Sequence, residues 1–146
     1  MTPVGRPMRI LLVEDNPGDV RLTVEALREG SVSNELHVAE DGEDALAFLR
    51  GEAPHVGAPR PDLVILDLNL PRKDGMELLA DIEDDESLRL IPTVILTSSA
   101  SDRDVLQAYE LRANAYVTKP AGVHEFTDAV SAIADFWLGV VHLPPT

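Results

Sequence analysis

Several residues able to do chemistry stand just where apolar runs stop. Glu14-Asp15 follow Ile10-Leu11-Leu12-Val13, and Asp67 follows Leu63-Val64-Ile65-Leu66. Thr97 and Ser98 end the run that starts at Pro92, and Lys119 comes just after Ala115-Tyr116-Val117. Brought together, the three carboxylates repel: a pair at ~4 Å with an effective dielectric near ~20 costs about 4 kcal/mol. One lysine does not balance three anions, so either a proton is retained or a divalent cation sits among them. Oxygen donors without histidine or cysteine suit a hard ion, Mg²⁺ foremost, and the main-chain carbonyl of Asn69 can add a fourth oxygen. A carboxylate beside such an ion and a lysine is equipped to take a phosphoryl group. Asp67 would be the nucleophile, Mg²⁺ and Lys119 would neutralise the phosphoryl oxygens, and the Thr97 hydroxyl would bond one of them.

The elements that must position these residues are legible as an alternation of strand and helix. Asn16-Pro17-Gly18-Asp19 opens a first helix: Asn16 caps, Pro17 suits the first position and Asp19 suits the first turn. Val20, Val24 and Leu27 form its apolar face, and Gly30 ends it. Leu36 to Ala39 is a weak second strand, and Asp41-Gly42 opens a helix with Ala45, Leu46 and Leu49 inward. A loop rich in proline and glycine runs from Gly51 to Pro61, and Leu63 to Leu66 is a strand buried on both faces. A third helix starts at Asp74 or Gly75 with Met76, Leu79 and Ile82 as its stripe. Ser101 caps a fourth helix that runs to about Arg112. The last helix repeats Val123, Phe126, Val130, Ile133, Trp137 and Val140 at steps of three and four.

Strand and helix five times over predicts an α/β fold, a parallel sheet with helices on both faces. Sheets of this kind place chemistry beyond the carboxyl ends of their strands. The strand-end residues would therefore meet at one edge.

With 146 residues, the chain suits one domain, and 45% hydrophobic residues suffice for a core. Twelve Lys+Arg against 26 Asp+Glu give a formal charge of -14, which argues against direct nucleic-acid binding and against an anionic membrane surface. The absence of cysteine removes disulfides, thiolate catalysis and thiolate zinc sites, and fits a cytoplasmic location. There is no signal-peptide pattern and no apolar run of membrane-spanning length.

Four motifs then carry a resemblance: VEDN at 13–16, LDLNLPRKDG at 66–75, LTSSA at 96–100 and VTKP at 117–120. In order and spacing they are similar to the receiver domain of two-component response regulators, the CheY-like family. The resemblance implies a flavodoxin-like (βα)5 fold with strand order 2-1-3-4-5, with tails at 1–7 and 143–146 around a receiver domain at 8–142. It implies Asp67 as phosphoacceptor, Glu14 and Asp15 with the Asn69 carbonyl as Mg²⁺ ligands, and Lys119 before a cis peptide to Pro120. Thr97 and Tyr116 resemble a switch pair, the hydroxyl moving toward phosphate and the ring turning inward. That repacks the face of the fourth helix, fifth strand and fifth helix. Such a module is a phosphorylated signalling domain with a sensor histidine kinase as partner, and not an enzyme in the ordinary sense. The NPGD helix start, the proline-rich insert and Phe136-Trp137-Leu138 further resemble the small regulators that accompany bacterial phytochrome kinases.

Two other functions compete. A metal-dependent phosphatase with an aspartate nucleophile wants a second aspartate two positions on, where Asn69 stands. A receiver-like interaction domain that never takes phosphate would be expected to lack Asp67, Asp15 or Lys119. Taken singly, Glu14-Asp15 reads as helix-start acidity and Tyr116 as a static core aromatic. His37, His55, His124 and His142 lack metal-site spacing. Ser99 and Asn69 offer no strong base, so slow to moderate self-dephosphorylation is expected. The last helix outruns what a sheet needs, and its apolar continuation through Val140 and Val141 predicts a homodimer through this region.

Overall fold

The computed structural model describes residues 6–145. Its strands are β1 (Met8–Val13), β2 (Asn34–Ala39), β3 (Leu63–Leu66), β4 (Thr93–Thr97) and β5 (Ala115–Thr118). Between and after them come α1 (Pro17–Glu29), α2 (Gly42–Arg50), α3 (Gly75–Asp84), α4 (Asp102–Glu110) and α5 (Val123–Ala134). A 3-10 turn occupies Leu88–Leu90, and a π-helical turn, Asp135–Val140, extends α5. All pairings are parallel and the order is β2-β1-β3-β4-β5, the flavodoxin-like arrangement expected.

The pleat sends successive side chains to opposite faces, and both faces are covered. Leu11, Val13, Val64, Leu66 and Ile95 pack with α2, α3 and α4. Ile10, Leu12, Leu63, Ile65, Val94 and Leu96 pack with α1 and α5. Every residue of β3 is fully buried, which explains why its sequence is an unbroken apolar run. At the amino ends of the strands Asp62 accepts from Arg6 at 3.2 Å and from the backbone N–H of Arg9 at 2.8 Å, closing that side of the sheet.

Four of the helices start where their caps predict, and α5 starts after Gly122 without a side-chain cap. Asn16 Oδ1 accepts from the Asp19 N–H at 3.0 Å, Asp41 from Asp44 at 2.8 Å and Ser101 from Asp104 at 3.1 Å. Asp74 and Glu77 form a reciprocal capping box. No helix among the described residues is long and apolar enough to cross a membrane.

Three details depart from expectation. In α3 the buried stripe is Leu78, Leu79 and Ile82, with Met76 only half-buried, because the packed face lies one position round from the predicted one. Val123, which opens the apolar repeat of the last helix, is 59% exposed, whereas Val140, at 74%, is the exposed apolar surface expected of the helix's continuation. The Val141 N–H bonds the Phe136 carbonyl at 2.9 Å, a five-residue step that breaks the steps of three and four. The peptide between Lys119 and Pro120 is trans, the lower-energy form of an X–Pro bond; the cis bond among the described residues is Ala53–Pro54.

Candidate functional site

β1 and β3 are neighbours in register, Val13 opposite Leu66, so the residues just past their ends lie side by side. The Glu14 N–H bonds the Ala39 carbonyl at 2.9 Å and the Asp67 N–H bonds the Val13 carbonyl at 3.0 Å. Sheet bonding thus continues through both acids and fixes their backbones. Carboxylate oxygens of Glu14, Asp15 and Asp67 all lie within 4.8 Å of one another. Glu14 and Asp67 are buried, at 3% and 5% exposure, while Asp15 opens to solvent. Gly75 lets α3 start against this loop, since a Cβ there would collide with the carbonyl oxygen of Asp67 and the backbone of Leu68.

Lys119 reaches the same place from the end of β5. Its backbone N–H bonds the Thr97 carbonyl at 2.7 Å. Its ammonium donates to Glu14 Oε1 at 2.6 Å, Asp19 Oδ2 at 2.7 Å and Asp67 Oδ2 at 3.1 Å. An ammonium has three protons, and here each has a carboxylate. In sequence Asp19 reads only as a helix-start charge. No local signal reveals its second role, because its partner lies 100 residues away.

The electrostatics arise from this crowding. Burial pushes the Glu14 carboxyl up to about 7 from an ordinary 4.5; the Lys119 hydrogen bond opposes the rise and the Asp67 charge adds to it. For Lys119 burial works against the charge, but the hydrogen bonds to Asp19 and Glu14 outweigh it and hold the group above the usual lysine range. Oxygen donors alone, packed this closely with one cation among them, fit a hard divalent ion. The expected fourth donor residue is adjacent: the Asn69 N–H bonds Asp67 Oδ1 at 3.2 Å, folding the loop back over the aspartate.

Thr97 ends β4, between β3 and β5. Its hydroxyl is fully buried and has no hydrogen-bond partner, an arrangement that costs about 1–3 kcal/mol unless something binds there. Tyr116 packs against the cluster that contains α4's Ala108, and its hydroxyl donates to the Ser99 carbonyl at 2.9 Å. Ser99 Oγ in turn donates to Asp104 at 2.5 Å. The structure therefore gathers Glu14, Asp15, Asp67, Asn69, Thr97 and Lys119 at one sheet edge, and sets Tyr116 behind the loop after β4.

Comparison with known proteins agrees with this geometry. The response regulator receiver domain profile matches residues 10–131, a span that includes all of these positions. Response regulator Rcp1 of Synechocystis sp. is 44% identical over 138 residues, covering 94% of each chain. The crystal structure of the phosphorylated cyanobacterial phytochrome response regulator RcpA superposes with a TM-score of 0.93 at 44% identity, over 96% of this chain and 100% of that one. The Mn²⁺-bound form of Rcp1 does so at 0.92 and 44%, over 95% of this chain and 100% of its own. With the profile spanning every strand-end residue and the fold shared almost end to end with phosphorylated and metal-bound relatives, the chain belongs to the response regulator receiver domains, signalling modules of two-component phosphorelays.

Proposed function

We propose that Asp67 accepts a phosphoryl group from a phosphohistidine of a sensor histidine kinase, and that the receiver unit spans residues 8–142. A carboxylate oxygen of Asp67 attacks phosphorus, the P–N bond breaks, and the imidazole leaves with the electron pair and takes a proton from solvent. The observation that carries this reading is the acid cluster around Asp67 with the Lys119 ammonium 3.1 Å from it; the buried Thr97 hydroxyl without a partner, at the end of the neighbouring strand, adds to it. Glu14, Asp15, Asp67 and the Asn69 carbonyl would hold Mg²⁺, which supplies charge neutralisation for the phosphoryl oxygens. Lys119 holds its positive charge beside the acid cluster and orients the reacting carboxylate. Thr97 gives its hydroxyl to a phosphoryl oxygen, and in doing so pulls on the loop that carries Ser99.

Tyr116 reads that movement through its bond to Ser99, so the face of α4, β5 and α5 repacks with it. The same region carries an apolar groove beside edge strand β5, lined by Ala115, Val117, Ala129, Ala132, Phe136 and Trp137. Phe136 and Val140 stand exposed next to it. This supports a homodimer through the C-terminal helix region. The likeness to Rcp1 and to a phytochrome response regulator supports a phytochrome-type kinase as the donor, met in the cytoplasm.

The test is incubation with acetyl phosphate and Mg²⁺, then measurement of intact mass. The natural chain should gain one phosphoryl unit and Asp67→Asn none; equal gain in both would place the acceptor elsewhere.

A further inference from the structure

Lys119 has one carboxylate partner more than the proposed chemistry asks of it. Glu14 and Asp67 belong to the acid cluster, whereas Asp19 stands outside it. Asp19 is nonetheless as close to the ammonium as Glu14, at 2.7 Å against 2.6 Å, and closer than Asp67 at 3.1 Å. It is also well held. Its backbone N–H is capped by Asn16, and its carbonyl accepts from the Thr23 hydroxyl at 2.8 Å in the next turn of α1. Asp19 is the most exposed of the three carboxylates around a lysine with no proton to spare.

A phosphoryl group on Asp67 adds oxyanions that need a lysine donor. The ammonium must then give up or share one of its three carboxylates. Asp19 has no place in the cation cluster, so it is the partner that competes with the phosphoryl group for the lysine.

We infer that Asp19 is a positioning residue that restrains Lys119, keeping its ammonium shared among three carboxylates until a phosphoryl group displaces Asp19 from it. The inference rests on the reading of Asp67 as phosphoacceptor. It gives Asp19→Asn a gain rather than a loss. The neutral amide accepts more weakly, the lysine shifts toward Asp67, and phosphorylation by acetyl phosphate quickens about threefold to fivefold, the scale of a partly exposed ion pair. Asp19→Glu keeps the charge and should return the rate toward that of the natural chain.

The chain has two lysines, Lys73 and Lys119, so a spectrum of isotope-labelled lysine ammonium groups contains two signals, with Lys73 as internal reference. In Asp19→Asn without phosphate the Lys119 signal should move toward its position in the beryllofluoride-bound natural chain, while Lys73 stays put. A role limited to starting α1 would lower thermal stability and leave that signal and the rate unchanged, which overturns the inference. Slower phosphorylation in Asp19→Asn overturns it too, since Asp19 would then present the lysine rather than restrain it. A natural chain that gains no mass at all would overturn the phosphoacceptor reading, and this inference with it. Mass gain in the natural chain with identical behaviour in Asp19→Asn would overturn this inference alone.

Discussion

The Tyr116 hydroxyl donates to the Ser99 carbonyl at 2.9 Å, so the ring is tied to the loop after β4, two residues beyond Thr97. One hydrogen bond thus links the edge strand to the segment nearest the buried hydroxyl. Replacing Tyr116 by Phe keeps the ring and removes the bond. Stability should fall by about 1 kcal/mol, the usual net worth of such a bond, measured by urea unfolding. The phosphoryl gain by mass should persist, because Tyr116 touches none of the clustered acids.

Thr97→Val is expected to act in opposite directions on the two states. The natural hydroxyl is buried without a partner, so an isosteric methyl should leave the free protein as stable or stabilise it by about 1 kcal/mol. Beryllofluoride affinity should drop at least tenfold, roughly the loss of a hydrogen bond to a charged group. Thermal denaturation with and without beryllofluoride separates the two effects. A variant destabilised in both conditions would show that the hydroxyl has an unseen structural partner.

Glu14 sets a pH dependence. Its carboxyl titrates at about 7 in the folded chain against 4.5 ordinarily, so the folded state holds this proton more firmly than the unfolded state. The stability this contributes is complete below the unfolded value and is lost as pH rises through the folded one, by up to about 3 kcal/mol. The metal-free protein should therefore melt lower near pH ~8 than near pH ~5.5 as far as this group is concerned. Mg²⁺ bound among these acids would compete with the same proton, so its stabilising effect should be larger at the higher pH. Scans at both pH values, with Mg²⁺ and with chelator, check the sign.

Gly75→Ala tests the approach of α3 to the site. The added Cβ would meet the Asp67 carbonyl and Leu68, backbone atoms that have nowhere to go cheaply. A loss of about 1–3 kcal/mol is expected, the range for overpacking. Because the displaced carbonyl belongs to Asp67, Mg²⁺ affinity should fall as well. Substitution at Gly57, where nothing lies near the added atom, should leave Mg²⁺ affinity untouched.

Phe136→Glu probes the apolar groove. The ring is 52% exposed and stacks edge-on against Trp137, so a charge there costs the fold little. If the groove seats a second copy, sedimentation should show the natural chain as a dimer and the variant as a monomer. Equal masses for the two, each that of one chain, would remove the dimer.

The strands, helix starts and strand-end acids are legible in the sequence because each is a local matter. An apolar run bounded by turn residues, or a side chain capping its own helix, depends on neighbours in sequence. The strand order comes from resemblance to a family, since alternation alone allows others. Asp19 is legible only as a helix-start acid, because its bond to Lys119 needs both ends of the fold in place. Leu78 escapes the sequence pattern because Met76, Leu79 and Ile82 make an equally good stripe. Val140 is legible as apolar surface beyond what the sheet needs, but the wide turn at Phe136 leaves no local mark in the sequence.

Lys119 closes one further circuit. Its backbone is bonded to β4, its side chain to the head of α1, and it stands four residues before α5, which packs on α1. Tyr116, three residues earlier, leans on the opposite layer through Ser99 and Asp104. A negative charge arriving at Asp67 would thus have two outlets, one through each side of the sheet, and a listener docked on either side would hear the same event.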